Sequence, residues 1–170
     1  MAGLKDAKLL GGIGAILALI PYISIIGYIL VLISLKFISD ETKNSSIFNN
    51  ALYGIIFVIL GISLSFYSLF SIGFSIFNIF LIPFVIGLII VSAILLIIGV
   101  YFFKKSLDDT GNTFNISYFK TAGLLYFIGA ILTFILIGAF IILIANIFLI
   151  IAFFSLPEQY AQPSQTQQQI

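Results

Sequence analysis

Residues 9–35 read LLGGIGAILALIPYISIIGYILVLISL, an apolar run of 27 residues bounded by Lys8 and Lys36. As one α-helix it would measure about 40 Å, against a hydrocarbon core of about 30 Å. Pro21 stands near its middle, where it removes a backbone donor and biases Ile20 away from helical geometry. The run is therefore either one long kinked span or a hairpin of two shorter helices, 4–20 and 22–40. The hairpin requires the lysine-bearing ends to snorkel.

The rest of the chain repeats this problem and helps to solve it. Apolar runs follow from Ala51 to about Phe70, from Pro83 to Phe103, and from Thr121 to Leu156. The last, 36 residues without a charge, would be about 54 Å long as one helix, more than tilt absorbs. It must fold back, and Gly138-Ala139 is the expected turn. A faint repeat links it to the first run: Lys8 to Glu41 and Lys120 to Glu158 both begin at lysine and end at an acid. Both also carry Gly-Ala-Ile-Leu, at 14–17 and 129–132. If the last run is a hairpin, the repeat argues that the first is one too.

Every ionisable side chain lies in a gap between runs. The seven cations are all lysine (Lys5, Lys8, Lys36, Lys43, Lys104, Lys105, Lys120), and the six acids are Asp6, Asp40, Glu41, Asp108, Asp109 and Glu158. Hydrophobic residues make up 62% of the chain and charged ones 8%, against about 25% charged in a soluble domain. A lipid phase or a large partner must cover such a surface. Three hairpins (4–20 with 22–40, 49–70 with 83–103, 116–137 with 139–156) put all seven lysines on one side. The opposite side then carries only the Pro21 turn, an apolar 71–82 connection and the Gly138 turn. Four spans, with kinked first and last helices, would split the lysines two against five.

The positive-inside tendency favours the first arrangement. The expected fold is an all-α membrane protein of six short transmembrane helices in three hairpins, multi-pass in the cell membrane, with both termini cytoplasmic. Arms this short leave room for a first hairpin that is partly re-entrant. Residues 1–156 form the membrane domain; 157–170 are Gln/Pro/Ser-rich and expected to be disordered. Residues 104–117 are expected to be a polar loop, because Asp108-Asp109-Thr110-Gly111-Asn112 has the chemistry of a turn. Lys5 and Lys8 before an apolar stretch resemble a signal peptide, but no small-x-small cleavage site follows, so the segment is expected to be retained.

Several stretches resemble the archaeal domain-of-unknown-function 996 family of membrane proteins. They are Lys8 to Leu17 (KLLGGIGAIL), Ile20-Pro21-Tyr22, Leu32 to Lys36 (LISLK), Ser46 to Asn50 (SIFNN) and Phe119 to Tyr126 (FKTAGLLY). The resemblance implies an archaeal integral membrane protein and transfers no activity and no functional residue.

Candidate chemistry is sparse. There is no His and no Cys, no acid lies inside a run, and no nucleophile has a recognisable base, so acid–base and covalent mechanisms lack their parts. No catalytic residue, metal ligand or cofactor site is expected. Without a basic patch no nucleic acid partner is expected either. The acid pairs Asp40/Glu41 and Asp108/Asp109 share a face and invite a divalent cation, but Lys36, Lys43, Lys104 and Lys105 stand ready as ion-pair partners. Asn44-Ser45-Ser46 and Asn115-Ile116-Ser117 match the glycosylation pattern yet fall on the cytoplasmic side, where they would go unused.

Asn146 is the amide well inside an apolar run, and Ser63, Ser65, Ser68, Ser71 and Ser75 form a series along the second run. Ser65, Ser68 and Asn146 would mark either a polar path or a helix interface. Serines bonding back to helix carbonyls need no path, and one interhelical amide bond is worth about 0.6 kcal/mol. Gly11, Gly14, Gly54 and Gly61 are read as small-residue packing sites that let helix backbones approach. Tyr22, Tyr28, Tyr53, Tyr101, Tyr118 and Tyr126 fall near expected helix ends, where an interfacial belt would sit.

The functional expectation is not an enzyme but a structural or accessory subunit of a membrane complex, or a homo-oligomer. Its partners would be the lipid bilayer and other membrane subunits or itself. The alternative is a small transporter or channel for an uncharged or weakly polar solute, with the repeated hairpins as halves.

Overall fold

The structure, a computed structural model, describes residues 3–75, 79–133 and 137–160. Among these are six α-helices and no strand: α1 (Leu4–Leu17), α2 (Ser24–Thr42), α3 (Ser45–Ser75), α4 (Ile82–Phe114), α5 (Ser117–Leu132) and α6 (Ile137–Phe154). A 3-10 turn, Ile79–Leu81, leads into α4, whose first turn holds Pro83 where a missing N–H costs nothing.

At Pro21 the chain reverses rather than kinks. The reversal occupies 18–23, and α1 lies antiparallel against α2. Their backbones touch: a Cβ on Gly14 would lie 2.7 Å from the Gly27 carbonyl oxygen, so any larger residue would push the helices apart. Ser34 Oγ, fully buried, donates to the Ala7 carbonyl at 2.6 Å and sets the register. The last run also folds back. α5 ends at Leu132 and α6 begins at Ile137, so the turn expected at Gly138-Ala139 is helix instead. Gly138 is buried inside α6, where a Cβ on its partner Gly129 would lie 3.1 Å from the Gly138 carbonyl. The glycine that looked like a turn residue serves close packing instead.

The expected 104–117 loop is corrected too. α4 continues to Phe114. Its polar segment is held as helix by the Lys104–Asp108 ion pair and by hydroxyl bonds from Thr110 to the Ser106 carbonyl and from Thr113 to that of Asp109. Leu107, Thr110 and Gly111 are buried there, so packing overrides the turn preference of Asp, Asn and Gly. The actual breaks are two-residue connections, Lys43-Asn44 and Asn115-Ile116. Each has one residue in left-handed geometry, Lys43 at φ 57° and Asn115 at φ 55°, the common way to end a helix. Asn44 Oδ1 accepts from the Ser46 amide at 3.2 Å and caps α3.

Each helix packs on its neighbours in sequence, and α1 packs on α6, which closes the six helices into a ring. One hydrophobic cluster fills the lysine-bearing end, with Leu35, Ile38, Leu107, Phe119, Leu149 and Phe153 among its fully buried side chains. Hairpin α3–α4 runs on a heptad of small residues. Gly54, Gly61 and Ser68 on α3, with Ser92, Gly99 and Ser106 on α4, are all buried at seven-residue intervals, the period of a left-handed helix pair. A Cβ on Gly54 would lie 2.8 Å from the Gly99 carbonyl.

Lengths differ sharply. At 31 and 33 residues α3 and α4 measure about 46 and 50 Å, whereas α1 and α2, at 14 and 19 residues, measure about 21 and 28 Å. Among the described residues, three helices are long and apolar enough to cross a membrane: α3 (over Ser45–Gly73), α4 and α6.

Candidate functional site

Two polar regions deserve chemistry: a pair buried between α5 and α6, and the lysine-bearing end of the ring. In the first, Tyr126 Oη donates to Asn146 Oδ1 at 2.7 Å, and Asn146 Nδ2 donates to the Ile142 carbonyl at 3.0 Å. Both residues are buried. The Tyr126 ring meets Phe103 of α4 edge-on, centroids 5.5 Å apart, and Tyr28 of α2 neighbours its hydroxyl. An amide in an apolar interior must find such partners or bear the cost of desolvation. Here they come from its own helix and the facing one, so the arrangement is a lock between helices.

Sequence reading placed Tyr126 in the interfacial belt and missed it as the partner of Asn146. A signal existed: residue 126 lies six residues before the end of α5 and residue 146 nine after the start of α6, so an antiparallel pair brings them near one level.

Ser65 and Ser68 do not join Asn146. They lie on α3, which packs on α2 and α4, whereas α6 packs on α5 and α1. Ser65 Oγ donates to the Gly61 carbonyl at 2.9 Å, Ser68 Oγ to that of Leu64 at 2.8 Å, and Ser71 Oγ to that of Tyr67 at 2.9 Å. Each hydroxyl is spent on the preceding turn of its own helix. Ser63 is exposed, and the side chain of Ser75 lies outside the described residues.

The glycines do bring helices together. Gly14 meets Gly27 and Gly54 meets Gly99, as described above. A Cβ on Gly11 would enter the Phe153 ring of α6, and one on Gly61 would lie 2.7 Å from the Leu96 side chain.

At the lysine-bearing end, Asp109 accepts from Ser46 Oγ at 2.8 Å and from Asn50 Nδ2 at 3.1 Å, tying α4 to the start of α3. Ser106 Oγ donates to the Ile47 carbonyl at 2.6 Å across the same seam. Lys36 pairs with Asp40 at 2.5 Å and stands 5.3 Å from the centre of the Phe48 ring. Lys8 Nζ donates to the Leu156 carbonyl at 3.2 Å, placing a cation at the end of α6, where the helix dipole favours it. A cavity of about 350 Å³ opens between α2 and α3, lined by Lys36, Asp40, Lys43, Phe48 and Asn49 among others. Asp40, Asp108 and Asp109 each have partners of their own, and among the described residues no three acids gather where a metal ion would sit.

Apolar helices, a filled ring and charge confined to one end define a helical membrane protein built from hairpins. A family model described as a protein of unknown function, domain of unknown function 996, matches residues 23–147, and the chain belongs to that family. It is also similar to an uncharacterized protein of Methanocaldococcus jannaschii, with 37% identity over 169 residues covering 91% of this chain and 94% of the relative. No solved structure matches the chain.

Proposed function

We propose that this protein is a non-catalytic structural or accessory element of the cell membrane, working with other membrane subunits or with copies of itself. The observation that carries the reading is the closed and filled ring. Among the described residues, every buried side-chain nitrogen and oxygen has a hydrogen-bond partner within the chain. The interior therefore offers no unspent polar group to a solute or a reaction. A transport path would need Ser65, Ser68 and Asn146 to share one passage, and they make separate contacts on helices that do not pack together.

In this reading the hairpins enter the membrane from the lysine-bearing side. That side is cytoplasmic, with both termini, by the positive-inside tendency. The long arms of α3–α4 turn a broad apolar face outward, including Ile59, Phe66, Phe70, Phe84 and Ile90, for lipid or neighbouring subunits to cover. The test is gentle solubilisation from native membranes followed by identification of what travels with the protein. A stoichiometric partner or a defined multimer is expected; a lone, stable monomer in mild detergent overturns the proposal.

A further inference from the structure

The cavity of about 350 Å³ between α2 and α3 holds polar side chains that the protein does not spend on itself. Lys36 Nζ gives one of its three N–H groups to Asp40 and lies against the Phe48 ring. Lys43, Ser45 and Asn49 are exposed and make no hydrogen bond or ion pair among the described residues. The lining carries two lysines against one aspartate. The neighbouring acids are turned elsewhere. Glu41 faces α1, its Oε1 3.6 Å from where a Cβ on Gly3 would stand, and Asp109 is held by Ser46 and Asn50 on the α4 side of α3. A concave site with spare donors and an excess of positive charge draws an anion.

Apolar surface continues from this cavity away from the lysine-bearing end. On α2, Ile29 and Ile25 stand two and three turns from Lys36 on the same face, and both are exposed. On α3, Ile56 and Ile59 fall by helical spacing within the arc between Phe48 and Asn49, and both are exposed as well. Three turns measure about 16 Å, close to one leaflet of a hydrocarbon core about 30 Å thick. The cavity itself is at the low end of ligand-site volumes, about 300–1,000 Å³. It takes a headgroup, so the chains of the same molecule must lie outside it on apolar surface. A small soluble anion would use the donors and have no use for the isoleucines beneath them.

We propose that this cavity binds the phosphate headgroup of an anionic membrane lipid, whose hydrocarbon chains lie along Ile29 and Ile25 of α2 and Ile56 and Ile59 of α3. Lys36 and Lys43 meet the phosphate charge, and the Ser45 hydroxyl and an Asn49 N–H donate to its oxygens. An ionised phosphodiester accepts hydrogen bonds and has no donor of its own, which matches a site whose spare groups donate. Lipid held there bridges α2 and α3, the ring neighbours that pack least extensively on each other, and braces hairpin α1–α2 against α3–α4. The inference rests on the charged end of the ring lying at a headgroup surface, and it stands whether or not the accessory role does.

The test uses the full-length protein in mild detergent, with phosphatidylglycerol as the anionic probe and phosphatidylcholine as the zwitterionic one, each counted on the protein by native mass spectrometry. Phosphatidylglycerol should be retained in preference; equal retention of the two would overturn the proposal. Lys36→Gln and Lys43→Gln should each weaken phosphatidylglycerol binding about fivefold, while Lys105→Gln, at an exposed lysine of α4, should leave it within about twofold. An equal loss at Lys105 would show general attraction to lysine and overturn the site. Asp40→Asn should act the other way and tighten binding several-fold, because it removes the carboxylate that competes for Lys36. That gain cannot come from misfolding; unchanged or weaker binding would overturn the proposal. Excess inorganic phosphate should fail to displace the lipid, whereas displacement would make this a site for a soluble anion and overturn the lipid as its occupant.

Discussion

Hairpins α1–α2 and α3–α4 solve the same problem, two apolar helices side by side, with different means and different reach. In α1–α2 two glycines touch, Gly14 and Gly27, and a buried serine sets the register. The pair is short, and its lysine-side half is clamped into the ring by α6, whose Phe153 fills the notch at Gly11. In α3–α4 small residues repeat every seventh position on both helices from Gly54 to Ser68 and from Ser92 to Ser106. That seam runs along the pair and ties the two helices to each other through their own backbones and small side chains. A long repeated seam can carry a hairpin across a bilayer unaided; one contact can hold a short hairpin that leans on its neighbours.

The largest effect should come from breaking the long seam. A Cβ on Gly99 would lie 2.8 Å from both the Gly54 carbonyl oxygen and the Val58 amide nitrogen, backbone atoms that cannot swing aside. Gly99→Leu should destabilise by about 3 kcal/mol, the upper range for overpacking, measured by thermal unfolding in mild detergent. Gly87, on the same helix, has nothing within 4 Å of its Cβ position. Gly87→Leu should stay within about 0.5 kcal/mol of the parent; comparable losses at both sites would show that helix propensity, not the seam, governs.

Gly11 on the short hairpin should respond less, because its obstacle is the Phe153 side chain of α6. Gly11→Ala displaces the Phe153 ring and should cost about 1–2 kcal/mol. It should also raise protease or label access near Gly3, since α1 loses its hold on α6 before the ring as a whole opens. Next in size is the buried lock: a double-mutant cycle on Tyr126→Phe and Asn146→Leu should give a coupling of about 0.6 kcal/mol. The smallest change belongs to Ser65→Ala, within about 0.5 kcal/mol, because that hydroxyl only bonds back to Gly61.

Much of the fold was legible because run length and charge are global signals. The excess length of 121–156 demanded a reversal, Pro21 located another, and the lysine-bearing gaps aligned the hairpins. Local chemistry was less reliable. Asp108 to Asn112 looked like a turn, but burial of Leu107, Thr110 and Gly111 kept it helical. Gly138 looked like a hinge and is a packing residue, because glycine answers both needs and only the facing helix decides between them. Gly11, Gly14, Gly54 and Gly61 were recognisable as packing sites, whereas the facing stripe of Ser92, Gly99 and Ser106 needed the register of the pair. The partner of Asn146 was hidden for the same reason. The expected tail begins at Pro157; Tyr160 meets the Phe114 ring, centroids 5.7 Å apart, and residues 161–170 lie outside the described residues.

The account depends most on all three hairpins entering from one side. Impermeant labelling of Lys43→Cys, Asn112→Cys and Phe80→Cys in sealed, oriented membranes addresses that directly. The first two should react from the same face and the third from the opposite one. Reaction of Lys43→Cys and Asn112→Cys from opposite faces would contradict it.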